Sequence, residues 1–341
     1  MSMRASALLT VASLALAVLL GPRPAAAEEI KIGVLHLASS GPIFIADAKG
    51  YFKAEGLEPK LVFFEAAQPI AVAVVSHDID VGVTAFTAGF FSLAGKGGIT
   101  VIGAQSREEP GYHLIGYLAG NRAYDAGFTS LKDFPGKKIA ITQVGSSFHY
   151  SLGLLADKLH FKLASVTLVP MQSMPNMASA LEGNQVDGAL MPASLAVTLT
   201  ERGKAHLLGW VGDETPWQLG ALFTSPEMIA AHRATLEKFV RAYEKGAQYY
   251  YDQLLAKDAS GKVVGGPERE AALALIAKYV NVTPDQVAKS VAFIDPKGRL
   301  LVGNVYHQVH WYQEEGLLDK SVDASRFLDL SFIKGQLDVP K

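Results

Sequence analysis

From residue 30 onward the chain keeps switching between two hydrophobic periods. Residues 30–36 (IKIGVLH) are β-rich and alternate apolar with other positions, the period of a strand. Small and turn-forming residues follow at 38–42, and residues 43–49 read as a helix punctuated by Gly50 and Gly56. Gly56 fits the left-handed residue that stops a helix. Further strands are expected at 60–64, 79–83 and 99–105, with helices at 69–76 and 87–94. Strands and helices joined by short loops predict a layered α/β domain with a largely parallel sheet.

A second block repeats the rhythm. Strands at 138–142, 166–171, 188–191 and 205–211 alternate with helices at 147–159, 175–182 and 194–202. Beyond residue 227 the pattern turns helical, at 234–255, 267–280, 284–291 and 305–315. Two segments also align: AVVSHDIDVGVT at 73–84 and ALEGNQVDGALM at 180–191. Each reads as a helix end, a turn, an aspartate, a short apolar strand and a loop that opens a helix. A match this short arises by chance too. If it is structural, both blocks present loops at their strand C-termini, where open α/β sheets bind ligands.

The N-terminus has its own pattern. Arg4 precedes an apolar run over 5–20, then Gly21 and Pro22, then Ala25, Ala26 and Ala27. That is the layout of a cleavable secretory signal. The run is shorter than the ~20 residues that span a bilayer. The expectation is a signal peptide over 1–27, cleaved near Ala27, and a soluble periplasmic product. The chain has no cysteine, which excludes disulfides, cysteine nucleophiles and a lipid-anchoring cysteine. Net charge is −2 and no basic tract occurs, so no nucleic-acid partner is expected.

Four strand-end loops are expected to line a cleft: around His36, Ser39, Ser40 and Phe44; near Gln68; at Thr84 and Phe86; and at Ser146, Ser147 and His149. Serines and threonines ahead of helices serve as N-caps, and unpaired N–H groups at helix starts hold anions. Phe44, Phe86, Met174, Met191 and Trp217 supply either core or an apolar pocket wall. Arg107 could pair with a ligand anion, or equally with Glu108 or Glu109. GSSFH at 145–149 approaches a Gly-x-Ser-x-Gly nucleophile elbow, but His149 stands where that turn needs a small residue. A hydrolase is therefore not expected, and His149 is read as a ligand hydrogen-bonding residue. His307 and His310 have metal-like spacing on one helix but lie away from the cleft loops, so no metal or cofactor is expected.

The segment GPIFIADAKGYFKAEGL at 41–57 resembles the first helix of periplasmic binding proteins for nitrate, sulfonates, taurine and thiamine pyrimidine. IDVGVT at 79–84, LKDFPGKKIA at 131–140 and GSSFH at 145–149 resemble later elements of that family, in the same order. The resemblance covers about 29–250. It implies a type II binding-protein fold: two lobes, each a mixed sheet flanked by helices, and a helical tail. The expected division is 28–110 with 218–341 as lobe 1, and 111–217 as lobe 2, with crossovers near 106–118 and 212–219. The implied role is the solute-binding component of an ABC importer, working as a monomer with a membrane permease and ATPase. The apolar residues point to a small organic anion with an apolar or aromatic body. A neutral aminopyrimidine is the alternative ligand. Pyrimidine synthases of the same superfamily give the alternative enzyme reading; those enzymes are cytosolic and carry a cysteine-rich motif.

Overall fold

The computed structural model describes residues 27–338. Of the signal segment expected over 1–27, residues 1–26 lie outside them. The first part of the chain runs β1 (Glu28–Leu35), α1 (Gly41–Ala48), α2 (Tyr51–Ala54), β2 (Leu57–Phe64), α3 (Ala67–Val75), β3 (Val81–Ala85), α4 (Ala88–Gly95) and β4 (Thr100–Ala104). A crossover carries β5 (Arg107–Glu108). The second block follows: β6 (Ile115–Gly120), α5 (Asn121–Asp125), β7 (Lys138–Ile141), α6 (Ser147–Leu159), β8 (Thr167–Pro170), α7 (Met174–Glu182), β9 (Gly188–Pro192), α8 (Ala193–Glu201) and β10 (Ala205–Trp210). The return holds α9 (Val211–Glu214), β11 (Trp217–Gln218) and β12 (Gly220–Thr224). The tail is helical: α10 (Pro226–Tyr250), α11 (Arg269–Val280), α12 (Pro284–Ala288) and α13 (Val302–Glu314). None of the described helices is long and apolar enough to cross a membrane.

The strands form two five-stranded mixed sheets, ordered β2-β1-β3-β12-β4 and β10-β6-β9-β7-β8. In the first sheet β2, β1 and β3 are parallel, and β12 is antiparallel to both β3 and β4. In the second, β8, β7 and β9 are parallel, and β6 is antiparallel to β9 and β10. The largely parallel expectation holds only for these three-stranded halves. Residues 115–120 form β6, with 115–118 expected as crossover, and residues 220–224, with no strand expected, form β12. Both strands are buried along their whole length, so neither shows an alternating surface pattern.

The two crossovers pair with each other. Trp217 faces Glu108 and Gln218 faces Arg107 in an antiparallel ribbon. Glu108 is fully buried there, and desolvation holds its carboxyl well above the usual carboxylate range. Trp217 packs edge-on against Tyr150 of α6, with ring centroids 4.8 Å apart. Trp311 of α13 sits on Gly153, where any Cβ would meet its ring. One apolar cluster therefore runs through both sheets, including Phe91, Tyr150, Trp217 and Tyr312. A second cluster fills the other face of the first sheet, where Phe44, Phe239 and Tyr243 pack beneath α1, α10 and α11. Burial of each such side chain contributes about 1.5–3 kcal/mol.

Candidate ligand-binding site

A cavity opens between the two sheets with an empty volume of about 680 Å³, counting solvent at its mouth. Its polar lining comes from both layers: Ser39, Gln68, Thr84, Thr87 and Gln105 on one side, and Thr142, Gln143, Ser146, Ser147 and Ser194 on the other. Leu35, Leu37, Leu114, Ile115, Phe148, Met174 and Leu219 form the apolar wall. Among the described residues, no lysine, arginine, histidine, aspartate or glutamate lines it.

Helix starts supply the electrostatics. The first residues of α3, α4, α6, α7 and α8, or their N-caps, all line the cavity. Helix N-termini carry unpaired N–H groups and about half a positive charge each, so the cavity favours electron-rich ligand atoms without a formal cation.

Local hydrogen bonds set the polar groups. Thr87 caps α4 by accepting the Phe90 N–H at 2.9 Å, and its hydroxyl donates to Gln68 Oε1 at 2.5 Å. That fixes the Gln68 amide oxygen and leaves Nε2 as a donor. Gln105 is engaged: its Nε2 donates to the Ser39 carbonyl at 3.1 Å, and its Oε1 accepts from Ser106 at 3.0 Å. Thr84 differs. It is 2% exposed, and its Oγ1 is buried without a hydrogen-bond partner. A buried hydroxyl left unpaired costs about 1–3 kcal/mol.

Six of the residues singled out from sequence line this cavity: Ser39, Gln68, Thr84, Ser146, Ser147 and Met174. The other eight lie elsewhere. His36 is exposed and stacks on Phe63 at 3.8 Å, with Nδ1 2.7 Å from the Tyr279 carbonyl. Ser40 is buried at the N-cap of α1. Phe44 stacks on Tyr279 in the core, and Phe86 packs on Phe90 and Phe91. Arg107 pairs with Glu109 at 2.9 Å and lies over the Phe293 ring at 4.2 Å. His149 is buried beside Trp311. Met191 is fully buried, and Trp217 sits in the crossover ribbon. His307 meets the Tyr150 hydroxyl at 2.8 Å, and His310 lies near Glu314 on the surface.

Sequence reasoning passed over Thr142, Gln143, Ser194, Gln105 and Ser290. Thr142 ends an expected strand and Ser194 opens an expected helix, so the strand-end rule applied to the second block finds both. Ser290 carries no such signal. It reaches the cavity because α12 packs on α8, where Lys289 and Gln286 bind Glu201 at 2.7 and 3.0 Å.

Two mixed five-stranded sheets with a cavity between them, a paired crossover and a helical tail define the periplasmic-binding-protein fold. A family profile described as NMT1/THI5 like matches residues 38–253, and the chain belongs to that family. Among solved structures, the alkanesulfonate-binding protein SsuA from Xanthomonas axonopodis pv. citri, bound to MOPS, aligns at TM-score 0.70 and 18% identity, covering 88% of this chain and 97% of that one. The periplasmic nitrate-binding protein NrtA from Synechocystis PCC 6803 aligns at TM-score 0.70 and 11% identity, covering 89% and 86%. The desulfurization enzyme DSZB aligns at TM-score 0.60 and 13% identity, covering 89% and 97%. No curated protein sequence matches the chain. These identities carry the fold, which here is that of solute-binding components of ABC importers.

Proposed function

We propose that this protein is the extracytoplasmic solute-binding component of an ABC importer, and that it captures a small organic anion with an apolar or aromatic body. A sulfonate or carboxylate fits best. Residues 28–110 with 218–341 act as one lobe and 111–217 as the other, and rotation about the β5–β11 ribbon closes them. The closed protein delivers its ligand to a membrane permease driven by an ATPase, as a monomer in the periplasm.

The observation that carries this reading is Thr84: a buried, unpartnered hydroxyl in a cavity ringed by helix N-termini. An oxyanion accepts from that hydroxyl and from the free N–H groups together. The lack of a charged side chain in the lining favours a second ligand class, the neutral aminopyrimidine. Catalysis is disfavoured because no histidine, carboxylate or lysine lines the cavity with its serines, and the nearby His149 uses its Nδ1 lone pair to accept the Gly145 N–H.

A thermal-shift screen of sulfonates, aromatic carboxylates and pyrimidines tests the ligand class. A ligand at 100 times its dissociation constant adds about 2.7 kcal/mol. Thr84→Val should weaken the best ligand about tenfold while leaving the unliganded melting temperature unchanged or higher. Shifts by sugars or cations alone would sink the anion reading, and full affinity in Thr84→Val would remove Thr84 from the site.

A further inference from the structure

The loop that opens α6 touches the first layer through its backbone. The Gly145 carbonyl accepts the Ala88 N–H at 2.8 Å. Ala88 is the first residue of α4, against the first sheet, whereas Gly145 precedes the N-cap of α6, against the second. The bond therefore crosses the cleft where two helix N-termini meet.

Other contacts hold the same loop in place. The Gly145 N–H donates to Nδ1 of His149 at 3.0 Å. Burial lowers the His149 pKa to about 4, so near neutral pH the ring is uncharged and Nδ1 keeps the lone pair this bond needs. The next carbonyl, that of Ser146, accepts the Tyr312 hydroxyl at 3.2 Å. Gly145 itself has φ +79°, and a Cβ there would stand 2.8 Å from the Cβ of Ala88. Glycine satisfies both the left-handed backbone and the close approach.

We propose that Gly145, posed by His149, is a closure contact between the two layers at the mouth of α4 and α6. Its carbonyl docks on the Ala88 N–H, and its missing side chain lets the layers meet. It is a positioning residue: it governs how long a captured ligand stays, not how fast it enters. The inference rests on the two-lobe capture proposed above.

The absence of cysteine lets two labels be placed uniquely. Val72→Cys on α3 and Leu207→Cys on β10 are exposed positions beside different sheets. Spin labels there report the distance between layers by pulsed EPR, read with and without MOPS as the probe. The otherwise unaltered protein should populate the short distance of this structure. Gly145→Ala should shift the population to longer distances. Adding Ala88→Gly should restore the short one, because it removes the methyl that the new side chain strikes. Ala88→Pro deletes the donor at the first position of a helix, where proline is tolerated, and should also open the layers. In both opened variants MOPS should dissociate about tenfold faster at an unchanged association rate.

The closure role is overturned if Gly145→Ala or Ala88→Pro keeps the short distance, or if Ala88→Gly fails to restore it. It is also overturned if the short distance is missing both with and without MOPS. Distances that behave as expected, in a protein that binds neither MOPS nor any other sulfonate or carboxylate, leave the closure contact standing and sink the ligand reading.

Discussion

Asp80 and Asp187 occupy matching places in the two layers. Asp80 accepts the Lys31 N–H through Oδ2 at 2.7 Å, and its own N–H donates to the Lys31 carbonyl at 3.0 Å. Asp187 treats Lys138 the same way, at 2.8 Å for both bonds. The turn before each aspartate holds a non-glycine residue in the left-handed region, His77 at φ +60° and Asn184 at φ +54°. The strand orders agree as well: β2-β1-β3-β12-β4 matches β8-β7-β9-β6-β10 in direction, strand for strand. The units part at their ends. Thr84 presents an unpaired hydroxyl at the cavity, and its counterpart Met191 is fully buried in the core. Residues that shape the backbone are shared, and the residue just past that shared scaffold is where the layers differ in chemistry.

The largest test of that contrast is truncation of the two end residues. Met191→Ala should cost about 3 kcal/mol in urea unfolding, because it empties packed core. Thr84→Ala should cost less than about 1 kcal/mol, since its hydroxyl has no partner to lose. Equal costs would erase the distinction.

A smaller effect separates the layers by pH. The His149 pKa falls from 6.5 to about 4 on folding. The unfolded chain therefore binds the extra proton first as pH drops. The stability this histidine leaves intact above pH 6.5 is lost progressively down to about pH 4, on the order of 2–3 kcal/mol. His149→Asn should flatten that acid limb in urea midpoints taken across the range. A limb of unchanged depth would assign it to other groups.

The smallest effect tests likeness. Asp80→Ala and Asp187→Ala should each cost about 1–2 kcal/mol and agree within about 0.5 kcal/mol. The double variant should show the sum, because the sites share no partner.

Much of this arrangement was legible in the chain. The helix starts at Thr87 and Ser146 follow from small polar residues between apolar strands and helical periods. The aspartate repeat at 80 and 187 marks one unit used twice, and the hydrogen bonds of both aspartates bear that out. The NMT1/THI5-like match bears out the family resemblance seen at 41–57. Besides the two short strands of the crossover ribbon, one strand of each five-stranded sheet stayed hidden. IGYLAG and GALFT are short, contain glycine and are buried on both faces, so the alternation of a half-exposed strand does not show. Their identity comes from gaps in sheets built by distant residues. The sequence also placed apolar residues near strand ends without telling pocket wall from core. Met174 lies on the cavity side, and Phe44 and Met191 lie on the core side, a choice made by packing between elements.

The position of β12 bears on the order in which the molecule can be built. The second sheet is drawn from one uninterrupted stretch, from Ile115 to Trp210, and can complete itself once that stretch is available. The first sheet cannot. Its β3 and β4 make no bond to each other and wait, with open backbone edges, for Gly220–Thr224 to slide between them. Long-range insertion of this kind is slow, and unpaired edges invite association with other chains. Whatever shields β3 and β4 during that interval protects the yield of the whole protein, because the strand that seals the first-made sheet is the last strand to be made.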